Sequence, residues 1–208
     1  SYMREPDWRP EVARSGVSLC LTLIIINVVC FILQRIPGFD ESLALFPTRL
    51  AQGRVWELLS YQFLHGGLFH LLINCAMIWF VGRQMEESLG KTKFLTLYLI
   101  AGVFGGLLQC LLTWTHYLPE AGVVGASAGI FGLIAAFAMV FWDREITFLI
   151  MFIIPVRMRA KYLLIALAVI GVLGIISKEG GIAHGAHLGG MIWGVLFELL
   201  QKRDKAQD

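Results

Sequence analysis

Two residue types that could act together in catalysis each lie near the start of a long uncharged run. Ser127 lies in the segment GASAG, which begins a run that extends to Trp142, and His187 lies in the segment AHLGG, further along the chain. A polar side chain is costly in lipid, so an ionisable residue inside a membrane-length run indicates a functional site. An imidazole that takes the hydroxyl proton turns a serine into a nucleophile. We therefore interpret the two residues as a nucleophile and its base inside a bilayer.

The composition independently predicts a membrane protein with several spans. The chain is 57% hydrophobic and 15% charged, whereas a soluble domain carries about a quarter charged residues. A spanning helix needs about 20 apolar residues. The chain has six uncharged runs near that length, at 15–34, 58–82, 94–115, 121–142, 162–177 and 180–197.

A shorter apolar run decides how many times the chain crosses. Ile146 to Val156 contains a proline and is too short to span, so we expect it to be interfacial or re-entrant. With six spans, the second, fourth and sixth start from one membrane face. Counted as helix from residues 121 and 180, Ser127 and His187 then lie roughly 10 Å inside and can meet. A seventh span would place His187 at the opposite face.

The basic residues predict the orientation. With the N-terminus in the cytoplasm, all but four of the 17 Lys and Arg residues fall on the cytoplasmic side, as the positive-inside rule requires. The exceptions are Arg35, Arg49, Arg54 and Lys178. We therefore expect both termini to be cytoplasmic and the polar cluster to open to the exterior. The net charge of +2 is small and dispersed, which gives no indication of nucleic-acid binding.

The chain is expected to form a single membrane domain. We assign residues 1–14 to a cytoplasmic N-terminal segment, 15–200 to the membrane bundle and 201–208 to a cytoplasmic tail. The first run is long for a cleaved signal and lacks a cleavage motif, so we expect a signal anchor. The stretch 36–57 is expected to be a structured loop on the membrane. The cysteines all lie in apolar runs, as small buried hydrophobes do.

Three short motifs on alternate spans carry a family resemblance. The second span reads H-x4-H-x3-N through His70 and Asn74, the fourth has Gly-x-Ser at Ser127, and the sixth has Ala-His-x-x-Gly at His187. In this order the motifs resemble those of the rhomboid intramembrane serine proteases, over roughly residues 15–200. The resemblance implies an all-α bundle of six transmembrane helices. It also implies an endopeptidase that needs no cofactor and cuts single-pass transmembrane proteins near the outer end of the span.

The resemblance gives roles to particular residues. Ser127 is the expected nucleophile and His187 the general base and acid. Glu198 is the only acidic residue near the sixth span, roughly 16 Å along the helix from His187, so a Ser-His dyad is favoured over a triad. Phe131 follows Ser127 by one helical turn and is expected to stack on the catalytic imidazole.

Attack on a peptide carbonyl also requires donors for the oxyanion. His70 and Asn74, spaced i,i+4, project from one face of the second span. The resemblance assigns them to the oxyanion site, together with the backbone N–H of Ser127 in the first helical turn. His65 lies off that face, beside two glycines, and is expected to be structural.

Small residues are expected where helices approach closely. Gly190 and Gly194 form a small-xxx-small pattern on the sixth span, which is typical of membrane helix packing. Two positions depart from the usual rhomboid pattern. Ala128 follows the serine where glycine is commoner, and Trp56 is followed by Glu57 instead of arginine.

Other classes of protein are weighed against the same residues. A non-catalytic rhomboid-like protein that binds transmembrane clients is the main alternative, although such relatives typically lack the serine or histidine. A transporter would have polar residues spread along a path across the membrane, whereas here they cluster near one face. His184 and His187 have no carboxylate or cysteine beside them and no H-E-x-x-H motif, so we expect no metal. No span contains an aspartate, which argues against an aspartyl protease.

Overall fold

The computed structural model describes residues 17–150, 154–178 and 180–204, and the expected segment 1–14 and residues 205–208 lie outside them. The helices are α1 Leu19–Leu33, α2 Phe39–Leu43, α3 Pro47–Ala51, α4 Glu57–Ser60, α5 Leu68–Met77, α6 Arg83–Leu89, α7 Lys91–Trp114, α8 Ser127–Val140, α9 Ala160–Ser177 and α10 His184–Asp204. A 3-10 turn, Tyr61–Phe63, follows α4, and a π-helical turn, Ile78–Gly82, joins α5 to α6.

The protein is an integral membrane protein. Within the described part of the chain, three helical stretches are long and apolar enough to cross a membrane: Leu68–Leu89, Lys91–Trp114 and Ala160–Ser177. Helices α1 and α8 are apolar but shorter. The outer faces of α1 and α9 expose large aliphatic side chains, such as Ile25, Ile32, Ile170 and Ile176. Apolar faces of this extent fit contact with lipid better than contact with water.

Helix α8 is the centre of the bundle. Ten of its 14 residues are buried, because α7, α9 and α10 all pack around it. With 14 residues it is roughly 21 Å long, shorter than the hydrocarbon core of about 30 Å. The segment just before it is buried at Val123 and Ala126. Irregular backbone is tolerated at membrane depth when protein covers it in this way.

The second apolar run differs from the expected single helix. Its first residues form α4 and the 3-10 turn, and the long helix begins only at Leu68, after Gly66 and Gly67. The link to the third span is itself helical. Gly90, at φ +78°, separates α6 from α7, because glycine adopts this left-handed backbone without strain.

The described residues of the short apolar run form strands, so the prediction of an all-α fold was wrong in this segment. Strands β1 Glu145–Ile150 and β2 Ile154–Arg159 pair antiparallel, from Glu145 opposite Arg159 to Ile150 opposite Ile154. An antiparallel hairpin returns the chain to the end from which it left. Beside the hairpin, Lys161 and Arg159 hold the pKa of the exposed Asp143 carboxyl below its usual value.

The first loop is ordered, and a buried carboxylate ties it together. Glu57 is fully buried and accepts a hydrogen bond of 3.0 Å from the Phe46 N–H. Arg54 lies 2.9 Å and Arg49 3.7 Å from the same carboxylate. The loop is therefore anchored although Glu57 replaces the usual arginine after Trp56. Here the carboxylate follows the tryptophan, and the arginines Arg49 and Arg54 come from earlier in the loop.

Candidate active site

An extended segment presents Ser127 at the N-terminus of α8. Residues 121–125 are not helical, so the expectation that helix carries the chain inward from residue 121 was wrong. Val123 exchanges two backbone hydrogen bonds with Leu45, of 2.8 and 3.1 Å. The Gly125 N–H donates to the Tyr61 carbonyl at 3.0 Å. The first loop thus holds the backbone that leads to the serine.

His187 lies in the first turn of α10 and reaches Ser127 on the neighbouring helix. Helix α10 begins at His184, so the chain from residue 180 to 183 is also non-helical, against expectation. The Nε2 atom of His187 lies 2.9 Å from the Oγ atom of Ser127. This is a hydrogen-bond distance, and it joins a potential nucleophile to a potential base.

Glycines permit the close approach of α8 and α10. A methyl group at Gly190 would lie 2.1 Å from the Ala128 carbonyl oxygen, and one at Gly194 would lie 2.2 Å from the Gly132 carbonyl oxygen. The Ala128 methyl group faces α7, where Gly105 has no side chain. Backbone contact of this kind is what small-xxx-small patterns allow.

Phe131 contacts the imidazole of His187 face to face. Their ring centroids are 4.2 Å apart and their planes differ by 9°. His184 also meets His187 edge to face, with ring centroids 6.3 Å apart. Among the described residues no carboxylate is hydrogen-bonded to or ion-paired with His187. The arrangement is therefore a serine-histidine pair with an aromatic support.

His70 offers a donor close to the serine. Its Nδ1 atom accepts a hydrogen bond from the Gly66 N–H at 3.4 Å, so the neutral ring carries its proton on Nε2. A Cβ atom placed on Gly125 would lie 3.0 Å from this Nε2 atom and 3.7 Å from Ser127 Oγ. His70 Nε2 and Ser127 Oγ therefore lie beside the same open space. Gly125, at φ +128°, leaves this space open.

Asn74 adds a second donor on the same helix. Its side chain is buried, and its Nδ2 atom has no hydrogen-bond partner among the described residues. A buried amide without a partner is costly, which indicates a place for an acceptor that the free protein lacks. Both Asn74 and His70 line the cavity that contains Ser127 and His187.

His65 packs against His70. It is buried, and its ring meets that of His70 edge to face at 5.2 Å. Gln34, just after α1, binds both the N–H and the carbonyl of His65, at 2.9 and 3.1 Å. These contacts fit the structural role expected for His65.

The cavity has a volume of about 820 Å³ and lies between α5, α8 and α9. Apolar side chains such as Ile73, Met77 and Leu167 form its deeper wall. In the described part of the chain, no three His, Cys, Asp or Glu side chains are placed to hold a metal ion.

Two features of the site were missed in the sequence. Gly125 lies outside α8 and accommodates His70. The pairing of Leu45 with Val123 joins segments far apart in the chain. The Gly-x-Ser motif includes Gly125, but no local sequence pattern predicts its contact with His70 or the pairing of Leu45 with Val123.

Fold and site together define a helical membrane protein with a serine-histidine pair at the start of two packed helices. A model of the Rhomboid domain matches residues 52–203. The chain therefore belongs to the rhomboid family.

Relatives with assigned names agree with this membership. The chain is similar to the rhomboid protease GlpG of Yersinia pestis (strain Pestoides F), with 30% identity over 192 residues, covering 91% of this chain and 64% of the relative. It is also similar to RHOMBOID-like protein 7 of Arabidopsis thaliana, with 31% identity over 147 residues, covering 69% of this chain and 43% of the relative. The chain thus spans 64% of the length of the rhomboid protease.

Proposed function

We propose that this protein is an intramembrane serine endopeptidase that uses Ser127 as nucleophile and His187 as general base and acid. The observation that carries the proposal is the 2.9 Å separation of Ser127 Oγ and His187 Nε2 in a cavity within a membrane bundle. Rhomboid membership and the similarity to a relative named as a protease support it.

The reaction follows from the groups in the cavity. His187 Nε2 takes the hydroxyl proton as Ser127 Oγ attacks the scissile carbonyl carbon. The developing oxyanion accepts hydrogen bonds from His70, Asn74 and the Ser127 N–H. The C–N bond then breaks as His187 returns the proton to the leaving amine. A water molecule, deprotonated by His187, hydrolyses the acyl-enzyme and restores the serine. Phe131 holds the imidazole in place by stacking.

The proposed topology has six spans and two cytoplasmic termini, with the site opening to the exterior. The β1–β2 hairpin supports an even number of crossings, because it returns the chain to its starting side. The stretch 15–200 then forms one membrane domain, between the cytoplasmic segments 1–14 and 201–208. The excess of Lys and Arg on the cytoplasmic side supports this orientation.

The proposed substrates are transmembrane segments of other membrane proteins. The cavity continues from Ser127 along apolar residues of α5 and α9, and an apolar wall suits a segment that arrives from lipid. A non-catalytic rhomboid-like protein that binds transmembrane clients is the second candidate. It is favoured only by the shared fold, since a client-binding site has no need of a serine held against a histidine.

Covalent labelling separates the two candidates. A fluorophosphonate probe should label the purified protein in detergent, because it reacts with a serine activated by a base. Ser127→Ala should abolish labelling, and Ser88→Ala, which removes an exposed hydroxyl on α6, should leave it unchanged. A folded wild-type protein that is not labelled would favour the client-binding candidate.

A further inference from the structure

The cavity that contains Ser127 and His187 has one formally charged side chain in its lining. Among the described residues around it, Lys178 is the only Lys, Arg, Asp or Glu, and the rest of the lining is apolar or neutral at pH 7 apart from the histidines. Electrostatic interactions strengthen next to apolar walls. The ammonium group of Lys178, which Glu179 follows directly in the sequence outside the described residues, can therefore bias which charges enter.

The backbone holds Lys178 firmly at the mouth of this cavity. The residue ends α9 in the left-handed region, at φ 53° and ψ 35°, and its N–H binds the carbonyls of Gly174 and Ile175. Left-handed residues commonly end helices in this way. The position of the lysine Cα is thus set by the end of α9.

The side chain of Lys178 extends from α9 to the loop after α7. Its Nζ atom lies 4.9 Å from the centroid of the Tyr117 ring. Lys178 also lines an adjoining surface hollow with Tyr117 and Glu120. Lys178 therefore lies where the cavity and the surface hollow adjoin.

The side chain of Lys178 is exposed. Within the described residues no carboxylate is ion-paired with it, and the nearby Glu120 instead accepts hydrogen bonds from the Thr48 N–H and hydroxyl. A cation over an aromatic ring at an exposed site is held weakly. A substrate carboxylate can replace that contact without breaking an ion pair.

We infer that Lys178 selects substrates with an Asp or Glu between the scissile bond and the outer membrane surface, and disfavours Lys or Arg there. This inference rests on the proposed protease function and names the substrate class of the same site. Lys178 is exposed, so the preference should be modest, about two- to fivefold in kcat/KM for each charge. It should appear mainly in KM, because the contact is made equally in the bound substrate and the transition state.

The test is a charge exchange between enzyme and substrate. A model transmembrane substrate would carry a single Asp, Asn or Lys at each of five successive positions outside the scissile bond. The enzymes would be wild type, Lys178→Met, Lys178→Glu and Lys202→Glu. Every variant at 178 keeps a side chain, so the strain of the left-handed backbone is unchanged. Lys202, an exposed lysine in the last turn of α10, provides the same charge change far from the cavity.

Wild type should cleave substrates with Asp faster than those with Lys at one or more positions, and this difference in kcat/KM should shrink in high salt. At the same positions Lys178→Met should lose the preference and Lys178→Glu should reverse it, while Lys202→Glu should behave as wild type. Equal preferences in all four enzymes would overturn the inference. So would reversal by Lys202→Glu, which would point to overall charge.

Failure of the inference is distinguishable from failure of the proposed function. If wild type cleaves all substrates at rates independent of their charge, the protease proposal stands and the role of Lys178 falls. If wild type cleaves none and does not react with a fluorophosphonate, the protease proposal falls and the inference falls with it. Fluorophosphonate labelling also counts active sites in each variant, so a partly unfolded Lys178→Glu preparation can be corrected for its active fraction.

Discussion

Among single residues, the site is organised around the His187 imidazole, which stacks on Phe131 and has no hydrogen bond or ion pair to a carboxylate of the described residues. The face-to-face contact of Phe131 with His187 restricts rotation of the imidazole. With the ring fixed, Nε2 faces Ser127 Oγ. Positioning of the base is thus provided by packing, where an aspartate provides it in a Ser-His-Asp triad.

Ser127→Ala and His187→Ala should each abolish cleavage of a model transmembrane substrate, by about 10⁴-fold or more, because the members of such a pair act as a unit. Initial rates would be compared at equal amounts of folded protein, established by thermal unfolding. Ser88→Ala is the matched control. Retention of a substantial fraction of the activity in His187→Ala would assign the base to another residue.

Asn74→Ala and His70→Ala should each lower turnover, by up to about 10²–10³, because they remove one of several oxyanion donors. The expected change is in kcat more than in KM, since the oxyanion exists only in the transition state. Asn27→Ala removes another buried amide, on α1 and outside the cavity lining, and controls for the loss of a buried polar group. Wild-type kcat in both variants would exclude these residues from the oxyanion site.

At the scale of elements, the distance from Ser127 to His187 depends on how closely α8 and α10 pack. The carbonyl oxygens of Ala128 and Gly132 lie against Gly190 and Gly194, where any side chain would collide with backbone. Backbone cannot move aside as the end of a flexible side chain can. The spacing of the two helices is therefore coupled directly to the geometry of the dyad.

Gly190→Ala should lower both stability and activity. Overpacking of this kind typically costs about 1–3 kcal/mol, and a displacement of about 1 Å in a catalytic group can cost 10²-fold in rate. Gly171→Ala, at a helical glycine in α9 outside the cavity lining, is the matched control, because a methyl group there makes only ordinary contacts, at 3.8 Å or more. Thermal unfolding and cleavage rates would be measured for both. Equal behaviour of the two variants would show that α8 and α10 have room to separate.

For the molecule as a whole, the proposed topology has an even number of crossings, which allows the serine and histidine to meet. The β1–β2 hairpin occupies the segment where a further span would have reversed α9 and α10. Helices α8 and α10 both carry their catalytic candidates in the first turn. The two first turns lie at the same depth only if both helices start from the same membrane face.

Alkaline phosphatase fused after Asp208 should be inactive in a bacterial host, because the proposed C-terminus is cytoplasmic and the enzyme requires export. A fusion that ends at Gly180, after α9, should be active and serves as the control. Equal expression would be checked by immunoblotting. An active fusion at Asp208 combined with an inactive one at Gly180 would contradict the proposed orientation.

The amino-acid sequence indicated the membrane environment and, through its motifs, a resemblance to the rhomboid family. It also indicated which polar residues lie in apolar runs. These are local properties, since the length of an apolar run and the cost of a buried Ser127 or His187 depend on the residues themselves. The i,i+4 spacing predicted that Phe131 shares a helix face with Ser127, and that Asn74 shares one with His70. The family resemblance then assigned these residues to one site.

The first residues of the helices, and the contacts between segments distant in the sequence, depend on the tertiary structure. Ser127 starts α8 because the preceding segment pairs with Leu45 and with Tyr61, which are distant in sequence. The run after α8 forms a hairpin because β1 finds a partner in β2, and run length alone does not distinguish a strand from a short buried helix. Gly125 faces His70, and Lys178 faces the cavity, because helices from different parts of the chain pack together. Contacts between distant segments are set by packing, and a single sequence carries no direct record of them.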